Sequence, residues 1–220
     1  IMELKFIQDL HISSKRKYLK RMNNDKVNCM TEAQKFGKNY WDGNRKFGYG
    51  GYKYIKDRWK PVAQKIIRNY NLTGRSKILD IGCGKGYLLY EIKKILPKIN
   101  IYGFDISKYA QKNSHPEIRN KIKVFDASKK YKYKKNYFDL VISINTLHNL
   151  EIDKLSQSLK EISRIGKKSY IVVESYRNNF ELFNLQCWAL TCKSFFSKNS
   201  WRWIFKKFKY SGDYEFIYFS

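Results

Sequence analysis

Proline and alanine are scarce in this chain of 220 residues, with three prolines against a usual share of roughly 5%. The few prolines and the 12 glycines exclude a collagen-like fibre and a proline-rich linker. No apolar run approaches the ~20 residues of a membrane-spanning helix. Only four cysteines are present, Cys29, Cys83, Cys187 and Cys192, and none forms a C-x-x-C pair. That spacing argues against a zinc site, and a chain this long with so few cysteines is no disulfide scaffold. No basic segment followed by an apolar stretch opens the sequence, so no secretory signal is expected and a cytoplasmic location is. Residue 1 is Ile, which points to a start further upstream. What the chain does have is 43% hydrophobic residues, which excludes wholesale disorder and suits one α/β domain.

Acidic residues are also few. Lys and Arg number 45 against 19 Asp and Glu, a net charge of +26. A polyanion partner is one explanation. A genomic bias is the other, and the composition favours it. Only 10 of the basic residues are Arg and 35 are Lys, while Ile (23) and Asn (17) are abundant, as an A/T-rich genome dictates. The charge is also spread, with 17 basic and 6 acidic residues over 1–74, 16 and 6 over 75–150, and 12 and 7 over 151–220. Nucleic-acid sites usually cluster their charge, so nucleic acid is a possible partner but not the favoured one. The alternation Lys129-Lys-Tyr131-Lys-Tyr133-Lys-Lys135 has the form of a base-stacking strip. A solvated connection is the commoner meaning of such a run.

Two patterns divide the chain. Residues 1–74 read as a helical and irregular extension. Ser13 and Ser14 suit the cap of a helix over Lys15–Met22, and Thr31 with Glu32 suits the opening of another. A glycine- and tyrosine-rich loop follows at Phe47–Tyr54. Trp59, Val62, Ile66, Ile67 and Tyr70 recur at helical spacing over Arg58–Asn71, with Pro61 in the first turn. From residue 75 to 220, strands alternate with helices. Strands are expected at 77–81, 99–104, 122–125, 138–144, 170–173 and 214–219, and helices at 87–96, 152–165, 180–190 and 200–208. Such repeated βαβ units imply a doubly wound, mostly parallel sheet, with ligands at the carboxyl ends of its strands.

The strongest local signal is Lys77-Ile-Leu-Asp80-Ile-Gly82-Cys83-Gly84-Lys-Gly86, an apolar strand running into a glycine-rich turn that opens a helix. Glycines let the backbone turn sharply and approach a ligand closely. The third glycine comes one residue too early for the G-x-G-x-x-G dinucleotide fingerprint, and no Gly-Lys-Ser/Thr follows for a P-loop.

Asp80-x-Gly82-x-Gly84-x-Gly86 instead resembles motif I of the class I S-adenosylmethionine (SAM)-dependent methyltransferases, which have a Rossmann-like fold. The resemblance implies that Asp80, Gly82, Cys83, Gly84 and Gly86 hold the methionine part of SAM. It places Asp105 on the ribose hydroxyls, with Ile106 beside it, and Asp126 and Ala127 at the adenine edge. Phe138–His148 resembles the fourth motif, which lines the SAM and acceptor pocket and contributes Asn145. The matching core covers roughly residues 75–175. That family usually closes its sheet with two further strands, one antiparallel. Only one clear candidate is visible, with Ala189–Phe196 as the other if it is present.

Methyl transfer from an activated sulfonium asks the protein mainly for alignment. A hydroxyl acceptor must also lose a proton, so a base with a near-neutral pKa is useful. His148, just past the fourth strand, is the candidate. Glu174 and Tyr176, after the fifth, are alternatives at the same rim. The fourth motif lacks the Asp/Asn-Pro-Pro-Tyr/Phe of methyltransferases acting on exocyclic base amines, and no cysteine follows a proline. The segment Tyr40-Trp41-Asp42-Gly43 with Tyr49-Gly50-Gly51-Tyr52-Lys-Tyr54 and Arg58 resembles a bacterial subgroup encoded among capsule and O-antigen genes. It suggests a lid, with Tyr49, Gly50, Tyr52, Arg58 and Tyr176 facing the acceptor. The expected activity is methylation of a small, anionic acceptor such as a sugar, nucleotide-sugar or phosphorylated surface-glycan precursor. An RNA methyltransferase is the alternative, and a non-catalytic SAM-binding scaffold fits least.

Overall fold

The computed structural model describes residues 1–12 and 16–220. Six short apolar segments form one sheet: β1 (Lys77–Ile81), β2 (Asn100–Asp105), β3 (Ile122–Val124), β4 (Phe138–Ile144), β5 (Gly166–Glu174) and β6 (Asp213–Ile217). Their order is β3-β2-β1-β4-β5-β6, and every neighbouring pair is parallel. β1, β4 and β5 are near-continuous apolar runs because both faces are covered. Alternate side chains go to opposite layers. Ile78, Leu140, Ile142 and Val172 enter one core cluster, while Leu79, Val141, Ile171 and Val173 enter the other. Strand order reverses between β1 and β4, which places the ligand crevice at their carboxyl ends.

The helices are α1 (Gln8–Ile12), α2 (Tyr18–Met22), α3 (Lys26–Ala33), α4 (Lys38–Asp42), α5 (Lys60–Tyr70), α6 (Tyr87–Ile95), α7 (Lys108–Lys112), α8 (Ile152–Ile165), α9 (Asn179–Trp188) and α10 (Lys198–Lys207). α5, α6 and α9 cover the first face through Ile66, Ile92 and Leu185; α8 and α10 cover the second through Leu159, Ile162 and Trp201. Residues preceding β1 are tied to the far edge of the sheet. The buried Glu215 carboxylate on β6 accepts from the backbone N–H of Phe6, Ile7 and Gln8 at 2.6, 3.0 and 2.8 Å, where α1 begins. The Tyr170 hydroxyl donates to the same carboxylate. An anion at the first turn of a helix satisfies donors that have no partner within the helix.

Three expectations need correction or limit. The proposed caps Ser13 and Ser14, with Lys15, lie outside the described residues. Thr31 does not open a helix. It sits inside α3, and its hydroxyl donates back to Val27 O at 3.0 Å, the other bond a mid-helix Thr makes. Ala189–Phe196 is not a strand, and the sheet is parallel throughout. The Lys193 and Ser194 N–H groups of that segment donate to a single carbonyl, His148 O, at 3.0 and 2.9 Å, so the segment crosses the carboxyl edge instead of joining it.

The Lys-Tyr strip is also resolved. Tyr131 is buried, and Tyr133 is half-buried against Phe104 and Phe138. Only the lysines face outward. The rings are core, so the strip offers no stacking platform.

Candidate active site

The turn after β1 needs its glycines. Gly82 and Gly84 have φ of +76° and +56°, a region that costs other L-residues strain. A Cβ on Gly82 would lie 2.0 Å from Thr146 Oγ1, and one on Gly84 would lie 2.8 Å from the Trp41 ring. The Gly82 and Cys83 N–H groups donate to Phe104 O at 2.7 and 2.9 Å, which pulls the turn toward β2. Lys85, inside the turn, is buried and pairs with Asp42 at the end of α4, Nζ to Oδ2 2.7 Å. Lys85 also donates to Tyr52 O at 2.8 Å, and the Tyr109 hydroxyl donates to Asp42 at 2.9 Å. Partial burial opposes the Asp42 charge, yet donation from Lys85 and Tyr109 holds its carboxyl below the ordinary value. The glycine turn and the α4 region are thus stapled together.

Three strand-end carboxylates surround the turn. Asp105 Oδ2 accepts from Gly84 N–H at 2.7 Å and Oδ1 from Ser107 N–H at 2.8 Å. Burial still pushes its pKa up against those two bonds. Asp126 Oδ1 accepts from the Ser128 N–H and hydroxyl, each at 2.8 Å. Asp80 differs, because its Oδ1 is buried with no partner among the described residues. Burial, followed by the charge of Asp105, pushes the Asp80 pKa up to about 8.

Two cavities open at this edge. One of about 420 Å³ is lined by Asp80, Gly82, Cys83, Gly84, Tyr52, Arg58, His148 and Glu174. The other, of about 300 Å³, is lined by Asp105, Ile106, Asp126, Ala127 and Lys154. Tyr40, Trp41, Tyr49 and Asn145 border both. The Trp41 and Tyr49 rings stack, with centroids 5.2 Å apart and planes 5° from parallel. Trp41 is held by donation from Nε1 to Ser107 Oγ at 3.0 Å. Asn145, the residue after β4, has φ +54°, and its Oδ1 is buried with no partner among the described residues. Buried polar atoms are rarely left so. Orphaned acceptors on Asp80 and Asn145, the Asp105 carboxylate and an apolar-walled second cavity together fit a nucleoside that carries an amino acid, such as SAM.

His148 is 3% exposed. Its Nδ1 accepts from Glu174 N–H at 3.2 Å, and its Nε2 lies 3.5 Å from Glu174 Oε2. Burial pushes its pKa down, against the opposing pull of Glu174. The ring is therefore neutral near pH 7, and with Nδ1 accepting, its proton sits on Nε2 facing the carboxylate. Both ring nitrogens are turned to Glu174.

Gly86, Gly50 and Tyr176 line neither cavity. Gly86 lies against Ile118 and Ile122, and Gly50 against Arg45. Tyr176 bridges to Ser197. The sequence reading missed the Lys85–Asp42 pair, the dividing role of Trp41 and the crossing segment at Ala189–Phe196. A lysine inside a glycine turn was the one legible signal.

Comparison with known proteins agrees with this geometry. The family model described as "Methyltransferase domain" matches residues 72–209. Human "Arginine-hydroxylase NDUFAF5, mitochondrial" is 31% identical over 141 residues, which are 62% of this chain and 38% of that protein. This chain thus spans well under half the length of that relative. Among solved structures, the YcgJ protein of Bacillus subtilis superposes with a TM-score of 0.54 at 15% identity, covering 66% of each chain. A SAM-dependent methyltransferase of Aquifex aeolicus gives 0.50 at 17% identity, covering 70% of this chain and 82% of that one. None of these carries support for the capsule and O-antigen subgroup. The sheet order, the glycine turn and the family match make this chain a member of the class I SAM-dependent methyltransferases.

Proposed function

We propose that the enzyme methylates a hydroxyl of a small anionic acceptor, a sugar phosphate or nucleotide-sugar being the class that fits. The observation that carries this is the charge layout of the larger cavity. Asp80 and Glu174 line it, and so do Arg21, Arg45 and Arg58. None of those three arginines makes a carboxylate ion pair among the described residues. An anion entering the cavity meets uncompensated positive charge.

SAM supplies a methyl group already activated on a sulfonium. Asp80 and Asn145 would hold its amino-acid part, and Asp105, Ile106, Asp126 and Ala127 its nucleoside. The chain's own task is alignment and removal of one proton. Glu174 takes the acceptor's hydroxyl proton as the new carbon–oxygen bond forms. His148 positions Glu174, because its Nε2–H faces the carboxylate and its Nδ1 holds the backbone N–H of the same residue. Trp41, Tyr49 and Tyr52 exclude water from above.

The test is transfer of isotope-labelled methyl to pooled sugar phosphates and nucleotide-sugars, run beside bulk RNA at several salt concentrations. Label in the small phosphorylated fraction, with modest salt dependence, is expected. Label entering RNA with a steep inverse salt dependence would favour the nucleic-acid reading instead.

A further inference from the structure

Trp188, the last residue of α9, is surrounded by arginines. The guanidinium carbons of Arg21, Arg45 and Arg16 lie 4.4, 5.0 and 5.4 Å from its ring centroid. A cation over an aromatic face is favourable, but three cations on one ring repel each other. Burial, followed by the charge of Arg45, pushes the Arg21 pKa down to about 10. The Arg45 side chain reaches solvent, yet desolvation of its guanidinium beside the Trp188 ring also lowers its pKa. The ring and backbone carbonyls offset part of that cost, but among the described residues neither Arg21 nor Arg45 forms an ion pair with a carboxylate.

Capping of α9 does not account for them. The carbonyls at that helix end already have a cation, because Lys26 Nζ donates to Cys187 O at 2.7 Å and to Ala189 O at 2.5 Å. Arg21 adds one bond to Trp188 O at 2.8 Å and spends another on Arg45 O at 2.9 Å. The Arg45 guanidinium donates to Gly48 O. A guanidinium has five N–H donors in a fixed fork, so both keep donors in hand. All three arginines line the cavity that also holds Asp80, His148 and Glu174.

We infer that Arg21 and Arg45, with Arg16 beside them and Trp188 as their platform, form a phosphate subsite that anchors the acceptor while its hydroxyl lies at Glu174. The inference rests on the acceptor reading above and narrows it to a phosphoryl group. A carboxylate presents two oxygens and one charge, whereas several convergent guanidiniums match an anion of three oxygens and nearly two charges. Tight packing of like charges is then a preorganised site, as the cluster is assembled before the ligand arrives.

The test needs no acceptor and no SAM. Inorganic phosphate and pyrophosphate are titrated into the full chain at constant ionic strength, with acetate as control, following calorimetry and tryptophan fluorescence. The expected result is phosphate binding well above acetate, weakened about tenfold by Arg45→Gln and by Arg21→Gln, on the scale of one charge-assisted hydrogen bond. Arg45 is exposed and its guanidinium makes one hydrogen bond, so its variant keeps the fold if Arg21→Gln does not. Phosphate binding no tighter than acetate, or within twofold of the parent in both variants, overturns the subsite. Phosphate binding lost in the variants while phosphorylated acceptors take no methyl would leave the subsite standing and defeat the acceptor reading.

Discussion

Replacing Asp80 with Asn should make the ligand-free enzyme more stable and cofactor binding weaker. Asp80 is 4% exposed, its Oδ1 has no partner, and its pKa is pushed up to about 8 by burial and then by Asp105. Unfolded, an aspartate titrates near ~3.9. Between about pH 4 and pH 8 the folded chain keeps a proton that the unfolded chain has released. Stability therefore falls as pH rises through that window and levels off above it. At ~1.36 kcal/mol per unit, the cost of retaining Asp80 at pH 7 is about 4 kcal/mol. Asn keeps the shape without the charge, so Asp80→Asn should raise the melting temperature at pH 7 by about 10 °C for a domain of this size, and by less at pH 5. In the proposed site the same carboxylate meets the cofactor's ammonium, and for that it has to ionise. Affinity for SAM should then rise about tenfold per pH unit from 6 to 7.5, below the range where an α-amino group loses its charge. Calorimetry in buffers of different ionisation enthalpy reads the released proton. A variant no more stable than the parent at pH 7, or SAM affinity flat across pH 6 to 7.5, would mean that Asp80 is not held protonated in the free enzyme.

Other perturbations separate the parts of the site. Gly82→Ala combines a φ of +76° with a 2.0 Å clash on Thr146, so SAM binding should be lost by calorimetry while the circular dichroism of the sheet is retained. Lys85→Met removes the buried partner of Asp42, and thermal unfolding should show a loss of about 3 kcal/mol, with faster proteolysis before residue 60. Glu174→Gln should lower kcat on the order of 100-fold or more with SAM affinity unchanged, as expected for a proton acceptor. An unaltered kcat would remove Glu174 from that role.

How much of this was legible differs by element. β1 and α8 announced themselves, because an apolar run and a helical repeat of Leu155, Leu159 and Ile162 depend only on neighbours in sequence. The Asp80–Gly84 turn was legible for the same reason, since its backbone demands specific residues. α3 was misplaced because Thr31 makes either a cap or a back-bond, and only the surrounding chain decides which. The Trp188 cluster was invisible. It joins residues 16, 21, 45 and 188, and no local pattern reports charges that meet across the fold. His148 was found by position, but its pairing with Glu174 required the register of β4 against β5.

Hydrogen exchange across the whole chain, with and without SAM, reads out whether the glycine turn and the residues before β1 together form the cofactor site. New protection is expected at residues 80–86, 105–107 and 126–128, and equally at 36–52, where Trp41 and Tyr52 meet the turn. Protection confined to the strand ends, with 36–52 exchanging as before, would contradict it.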